Sequence, residues 1–209
     1  MDALEFNSRD PMSPAFWDER FGKHFTPWDR GGIPERLRQF VKDTAHGAAA
    51  AGLPLPATLI PGCGSAYELA YLSEAGWDVT AIDFSPAAVA AGKEAVGPQW
   101  QDRVEEADFF AWQPSAPLQC IYERAFLCAL PRHLWPQVAE RWAQLLAPGG
   151  MLAGFFFFDN NPKGPPFGIT RAELDALLSP YFTCVADEPV WDSIPVFAGK
   201  ERWMSWFRV

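Results

Sequence analysis

The chain has 209 residues, enough for one well-filled core and below the size at which cores divide, so a single domain over residues 1–209 with one active site is expected. Hydrophobic residues make up 49% of it and charged residues 21%, which argues against global disorder. A formal net charge of −9 argues against nucleic acid as the main partner, because neutralising phosphates needs clustered Lys and Arg.

The opening residues MDALEFNSRD carry acidic groups where an export signal has a basic stretch followed by an apolar run, so a cytoplasmic location is expected. The apolar run Met151 to Phe158 is far too short to span a bilayer and reads as a buried strand; no membrane partner is expected. Cys63, Cys120, Cys128 and Cys184 form no C-x-x-C pair, and His24, His46 and His133 lie far apart. No metal site is expected, and free thiols are. The sequence leaves the oligomeric state open.

Residues 1–33 place Phe16, Trp17, Phe21, Phe25 and Trp28 among charged and turn residues without a long helical stripe, as an aromatic arm that needs something to pack on. Pro34 suits a first helical turn, and Leu37, Phe40 and Val41 then recur at helical spacing until Gly52 and Pro54 stop the run. Ala57 to Pro61 is a short strand, Gly62 to Ser65 a tight turn, and Ala66 to Ala75 a helix ended by Gly76. A second strand, Asp78 to Asp83, leads to Ser85-Pro86, which caps a helix reaching about Val96. Strands follow at Arg103 to Ala107 and Leu118 to Glu123, then a helix at Leu134 to Leu146, the Pro148-Gly149-Gly150 turn and the strand Met151 to Phe158. Asn160 to Gly168 reads as a loop. A helix at Arg171 to Leu178 precedes two strands, Phe182 to Val190 and Glu201 to Arg208, with no helix between them. The fold expected is α/β: a Rossmann-like, doubly wound, mostly parallel sheet closed by an antiparallel hairpin.

In such a sheet the ligand lies beyond the carboxyl ends of the central strands, where Gly62 and Gly64 stand. A lone G-x-G is weak evidence, but Asp83 ends the next strand about 20 residues after the first glycine, where a carboxylate accepts both hydroxyls of a ribose. The dinucleotide fingerprint wants a third glycine where this chain has Tyr67, which disfavours a tightly held pyrophosphate. S-adenosylmethionine has no phosphate and suits the turn better; an NAD(P)-dependent oxidoreductase and a non-catalytic adenosyl-binding module remain alternatives. Asp108-Phe109-Phe110 after the third strand places a carboxylate beside rings, a pattern that suits an adenine as well as an ordinary core cluster. Glu123 and Arg124 end the fourth strand; the arginine is a natural contact for a substrate carboxylate or thiolate, and equally half of a surface pair.

These segments together resemble the thiopurine S-methyltransferase family, in particular its thiol, thiocyanate and halide methyltransferase branch, over nearly the whole chain. The matching pieces are Phe16-Trp17 with Thr26-Pro-Trp-Asp29, Pro61-Gly-Cys-Gly64, Asp83 with Ser85, Asp108-Phe-Phe110 with Trp112, Glu123-Arg124 leading to Cys128-Ala129, Pro148 with Gly150, Gly164-Pro-Pro-Phe167, and Gly199-Lys-Glu201. The resemblance implies a class I methyltransferase fold, S-adenosylmethionine as cofactor with S-adenosylhomocysteine as product, and a small-molecule acceptor, most readily a thiol or thiopurine sulfur. It implies that Trp17 and Trp28 close over the cofactor, that Gly62 and Gly64 approach its methionine part, that Asp83 with Phe84 holds the ribose, that Asp108 and Phe109 hold adenine, and that Glu123 belongs to the cofactor site. Arg124 stands where the halide and thiocyanate branch has a Tyr, as in the thiopurine branch, and Phe21 where the plant branch has a second Trp. For the reaction, Arg124 is expected to orient the acceptor and favour its thiolate, with the aromatic arm and Phe155 to Phe158 supplying a water-poor pocket.

Overall fold

A computed structural model describes residues 5–209. Strands β1 (Ala57–Pro61), β2 (Asp78–Asp83), β3 (Val104–Glu106), β4 (Leu118–Arg124), β5 (Leu146–Phe157), β6 (Phe182–Pro189) and β7 (Glu201–Arg208) form one seven-stranded sheet in the order β3-β2-β1-β4-β5-β7-β6. The strands β1 to β5 run parallel, and β7 runs antiparallel to both β5 and β6.

Side chains alternate between the two faces, as the strand period of two requires. Ile60, Ala81, Tyr122, Ala153, Phe155 and Trp203 point to one face, covered by Leu37 and Phe40 of α2 (Glu35–Ala51), Leu69 and Leu72 of α3 (Tyr67–Glu74) and Val89 of α4 (Pro86–Val96). Their neighbours Leu59, Ile82, Ile121, Leu152, Phe156 and Met204 point to the other, covered by Trp135, Val138 and Trp142 of α5 (Trp135–Leu145) and Leu174 and Leu178 of α6 (Arg171–Leu178). Local signals set the boundaries. Gly52 ends α2 in the left-handed conformation, Ser85 caps α4 by accepting from the Ala88 N–H at 3.1 Å, and Thr170 with Glu173 forms a capping box on α6.

The structure departs from the sequence reading in two places, and in a third it fixes a strand order for the expected antiparallel hairpin that the sequence left open. The arm contains a helix, α1 (Pro14–Gly22), which buries only Phe16 of its own and so carries no apolar stripe for periodicity to detect. Strand β5 begins at Leu146 and continues through the Pro148-Gly149-Gly150 segment. The closing hairpin is inserted backwards: β7, last in the chain, lies inside the sheet and β6 forms its edge. Burial explains that order, since Trp203, Met204, Ser205 and Trp206 are all buried and need cover on both faces, whereas β6 is half-exposed along its length. The strand order reverses between β1 and β4, and in open α/β sheets that switch point opens the crevice in which ligands bind.

Candidate active site

A cavity of about 1150 Å³ opens at the carboxyl ends of β1 and β4. Its floor begins with the turn after β1. Gly62 and Gly64 adopt φ of 58° and 50°, a region closed to most side chains, and a Cβ on Gly62 would stand 2.6 Å from the Phe126 ring. The Gly64 N–H donates to Asp83 Oδ2 and the Ser85 N–H to Asp83 Oδ1, both at 3.0 Å. Each carboxylate oxygen therefore keeps a lone pair for a further donor, such as one hydroxyl of a vicinal diol. Burial raises the Asp83 pKa, against the opposing pull of the Ser85 and Gly64 N–H groups. Phe84 lines the cavity beside it.

Next along the floor, the Phe110 N–H donates to Asp108 Oδ1 at 2.9 Å, and Phe109 packs edge-on against Phe110 and Phe126 at 5.4 and 4.9 Å. Asp108, Phe109 and Phe110 all line the cavity. Trp112 does not; its indole N–H donates to Glu105 at 2.8 Å.

The roof is the arm. Trp17 meets Trp28 edge-on at 5.4 Å, Phe21 meets Trp28 at 6.1 Å, and all three rings line the cavity. Three polar attachments fasten the arm. Asp18 Oδ1 accepts from the Ser85 hydroxyl at 2.6 Å and the Ala87 N–H at 3.0 Å, at the start of α4. Asp29 accepts from the Ser65 hydroxyl at 2.6 Å, and Arg30 donates to the side chain and carbonyl of Asp192 at 2.9 and 2.8 Å, in the β6–β7 connection. Sequence reasoning missed Asp18 and Arg30, because a charged residue in a polar segment carries no local sign of a partner 67 or 162 residues away.

The remaining wall is built by β4 and what it meets. Arg124 is held with its guanidinium carbon 5.1 Å from the Phe155 ring centre and Nη1 3.7 Å from Glu68 Oε1. Both Nη atoms, and the Tyr122 hydroxyl beside them, are buried without a hydrogen bond to any described residue. Burial alone would lower the Arg124 pKa, but Tyr122, Glu68 and Glu201 outweigh it and raise it, so the charge is permanent. Cys63 and Cys128 also line the cavity; burial first, then nearby carboxylates, push both thiols well above their usual range, and they stay protonated.

Two expectations change. Glu123 does not line the cavity: its Oε1 accepts from the Phe126 and Leu127 N–H groups at 3.0 and 2.9 Å, and burial raises its pKa to about 8. Alternation along β4 turns it to the opposite face from Arg124, where it braces the turn that carries Phe126 and Cys128. Phe155 to Phe158 are likewise absent from the cavity wall; Phe155 and Phe156 are core side chains on opposite faces of the sheet. Among the described residues no group of three or more His, Cys, Asp or Glu is placed to hold a metal, and no helix is long and apolar enough to cross a membrane.

An antiparallel β7 lodged between β5 and β6, on a sheet otherwise wound for a nucleoside ligand, characterises the class I methyltransferases, enzymes that use S-adenosylmethionine. Residues 12–208 match the thiopurine S-methyltransferase family, and the chain belongs to it. It is 28% identical over 199 residues to thiocyanate methyltransferase 1 of Arabidopsis thaliana, covering 92% of this chain and 84% of that protein. It is also 28% identical over 197 residues to the thiopurine S-methyltransferase of Vibrio atlanticus, covering 86% and 88%. Among solved structures, the 1,6-didemethyltoxoflavin-N1-methyltransferase of Burkholderia thailandensis, which holds S-adenosylhomocysteine, shares the fold with a TM-score of 0.70 at 19% identity over 94% of this chain and 87% of that one. Magnesium protoporphyrin IX methyltransferase from Synechocystis PCC 6803, with bound S-adenosylmethionine, gives a TM-score of 0.68 at 16% identity over 97% and 99%. The family closes the NAD(P) alternative. The residues present fit the cofactor: Asp83 has acceptor capacity for a ribose, and the open glycine turn offers backbone without side chains.

Proposed function

We propose that this methyltransferase uses the sulfur of a small thiol or thiopurine as its methyl acceptor. The observation that carries the reading is Arg124: a permanent cation at the carboxyl end of β4, in the wall of an aromatic cavity, paired with Glu68 at 3.7 Å and with no hydrogen bond from either Nη atom to any described residue. A guanidinium so placed orients an anionic sulfur and lowers the pKa of a thiol bound beside it. The two relatives named above are both called after sulfur acceptors, thiocyanate in one case and thiopurine in the other.

Bound S-adenosylmethionine supplies an electrophilic methyl group on a positively charged sulfur. The chain's own residues do the rest. Asp83 takes the ribose hydroxyls, with Phe84 beside them, Asp108 and Phe109 take the adenine, and the Gly62 to Gly64 backbone meets the methionine part. Residues 5–33 act as a lid on a single domain, with Trp17 and Trp28 closing over the cofactor and excluding water; residues 1–4 of the expected arm lie outside the described residues. A dry site helps because attack of a thiolate on a sulfonium annihilates charge, so the transition state is less polar than the reactants. Orientation within about 3–3.5 Å of the methyl carbon provides most of the rate. The protein works in the cytoplasm on a small molecule and takes no nucleic acid.

The test is S-adenosylhomocysteine release with a panel of thiopurines, alkyl and aryl thiols, sulfide, thiocyanate, halides, amines and phenols. Thiols or thiopurines are expected to give the highest kcat/KM. An amine or phenol turned over faster than every sulfur acceptor would overturn the assignment.

A further inference from the structure

Five carboxylates line the cavity among the described residues, and hydrogen bonds separate them. Asp83 is committed to Gly64 and Ser85, Asp29 to Gly31 and Ser65, and Asp108 to Phe110. Glu5 is exposed. Glu68, in the first turn of α3, is 8% exposed and accepts no hydrogen bond from any other described residue. Its one close partner is Arg124, at 3.7 Å, too far for a hydrogen bond.

A largely buried carboxylate without hydrogen-bond donors from the protein is costly, and Glu and Asp are seldom found in that state unless paired. Within the fold the charge is the counterion of the buried Arg124. The charge also lines the cavity, beside Arg124, whose Nη atoms carry no hydrogen bond to any described residue.

We infer that Glu68 is a catalytic residue, the base that removes the proton from a thiol acceptor held by Arg124. The inference rests on the sulfur-acceptor reading above. In the step, a Glu68 oxygen first takes the S–H proton, and a lone pair of the resulting thiolate then forms the bond to the methyl carbon. The carbon–sulfur bond that breaks leaves its electron pair on the cofactor's sulfur and cancels the positive charge there. The proton on Glu68 is then lost to solvent when the products leave. Before attack, proton transfer converts a Glu68 carboxylate and a neutral thiol into a neutral acid and a thiolate. The charge beside Arg124 therefore moves from one partner to the other, and no new uncompensated charge is buried.

The surroundings suit the exchange. Burial raises the Glu68 pKa, with Arg124 opposing, so the carboxylate is a stronger base than an exposed one. The other charged or titratable groups facing it are Asp29 and Arg30 from the arm, Cys63 from the glycine turn and Tyr122 from β4. Asp29 pushes the pKa up further and Arg30 down.

The test is the isosteric Glu68→Gln variant of the full chain, assayed with an alkyl thiol and with a more acidic aryl thiol across pH. At neutral pH, kcat/KM for the alkyl thiol is expected to fall by about 10²-fold, as general-base removal does. The deficit should shrink for the aryl thiol, and again for the alkyl thiol as pH passes a free-thiol pKa of about 8.5, because a preformed thiolate needs no base. S-adenosylhomocysteine affinity by calorimetry should stay within about twofold of the parent, given that Glu68 is assigned to the acceptor. Glu68→Asp, which keeps the base and withdraws it by one methylene, should show a smaller loss with the parent's pH dependence. An equal deficit for both thiols at every pH, or a matching loss of S-adenosylhomocysteine affinity, would instead make Glu68 a support of the fold or the cofactor. A parent protein inactive on every thiol would sink the acceptor assignment itself; a thiol-active parent with an unaltered Glu68→Gln profile would sink the base alone.

Discussion

The two ends of the cavity are built in different ways. The end beneath Asp83 is made of backbone: two glycines in left-handed conformation, the N–H groups of Gly64 and Ser85, and one carboxylate they hold in place, all within 24 residues of Gly62. The end at Arg124 is made of side chains from distant segments, with Glu68 from α3, Arg124 from β4 and Arg30 from the arm lining the cavity, and Phe155 from β5 and Glu201 from β7 behind Arg124. A backbone-built end binds one ligand and tolerates few changes, whereas a side-chain-built end can be re-specified by single substitutions while the first stays intact. That division suits a family whose members share a cofactor and carry the names of different acceptors.

The largest effect is expected where backbone and carboxylate meet. Asp83→Ala removes the ribose acceptors and leaves two backbone N–H groups unsatisfied, so S-adenosylhomocysteine affinity in calorimetry should fall by about 10²-fold or more, at ~1.5–3 kcal/mol per charged hydrogen bond. Arg124→Ala should do the opposite, leaving that affinity within about threefold while lowering kcat/KM for a thiol by about tenfold or more, as loss of a contact made chiefly to the acceptor would. Equal losses in both measurements would erase the distinction between the ends.

A smaller change should come from the roof that joins them. Asp18→Asn weakens one of the three attachments of the arm, the one on α4, and is expected to raise the S-adenosylhomocysteine dissociation constant by a few-fold, about what one partly exposed hydrogen bond contributes.

The smallest effect tests Glu123, which touches neither end. In the folded protein it keeps its proton up to about pH 8, whereas in the unfolded chain it loses it near the ordinary 4.5. Between those values the folded state binds more protons, so this group makes stability fall as pH rises from about 4.5 to about 8. Glu123→Gln keeps an oxygen for the Phe126 and Leu127 N–H groups and removes the titration. The Tm of the parent should decline more than that of the variant between pH 5 and 8, with the gap widest at the upper end.

What was legible in the sequence was local. Strand period, helix stops such as Gly52 and caps such as Ser85 act within a few residues, so the ranges of α2, β1, β2, α4, α6 and β7 follow from the chain alone, as do the glycine turn and Asp83. The same locality hid α1, whose stability comes from Asp18 seated on the first turn of α4 and from Arg20 lying on the Phe16 ring, and not from its own pattern. Whether Glu123 or Arg124 enters the cavity was decided by which face of β4 the helices cover, and consecutive residues on a strand point opposite ways. The place of β7 inside β6 was set by the need to bury Trp203 and Trp206 on opposite faces, a requirement that exists only once the sheet is assembled. Sequence alone thus determined the glycine turn and the place of Asp83, because backbone turns and caps are short-range physics. Only the tertiary structure decided the wall at Arg124, because Glu68 and Arg124 meet by packing of segments 56 residues apart, which no local propensity encodes.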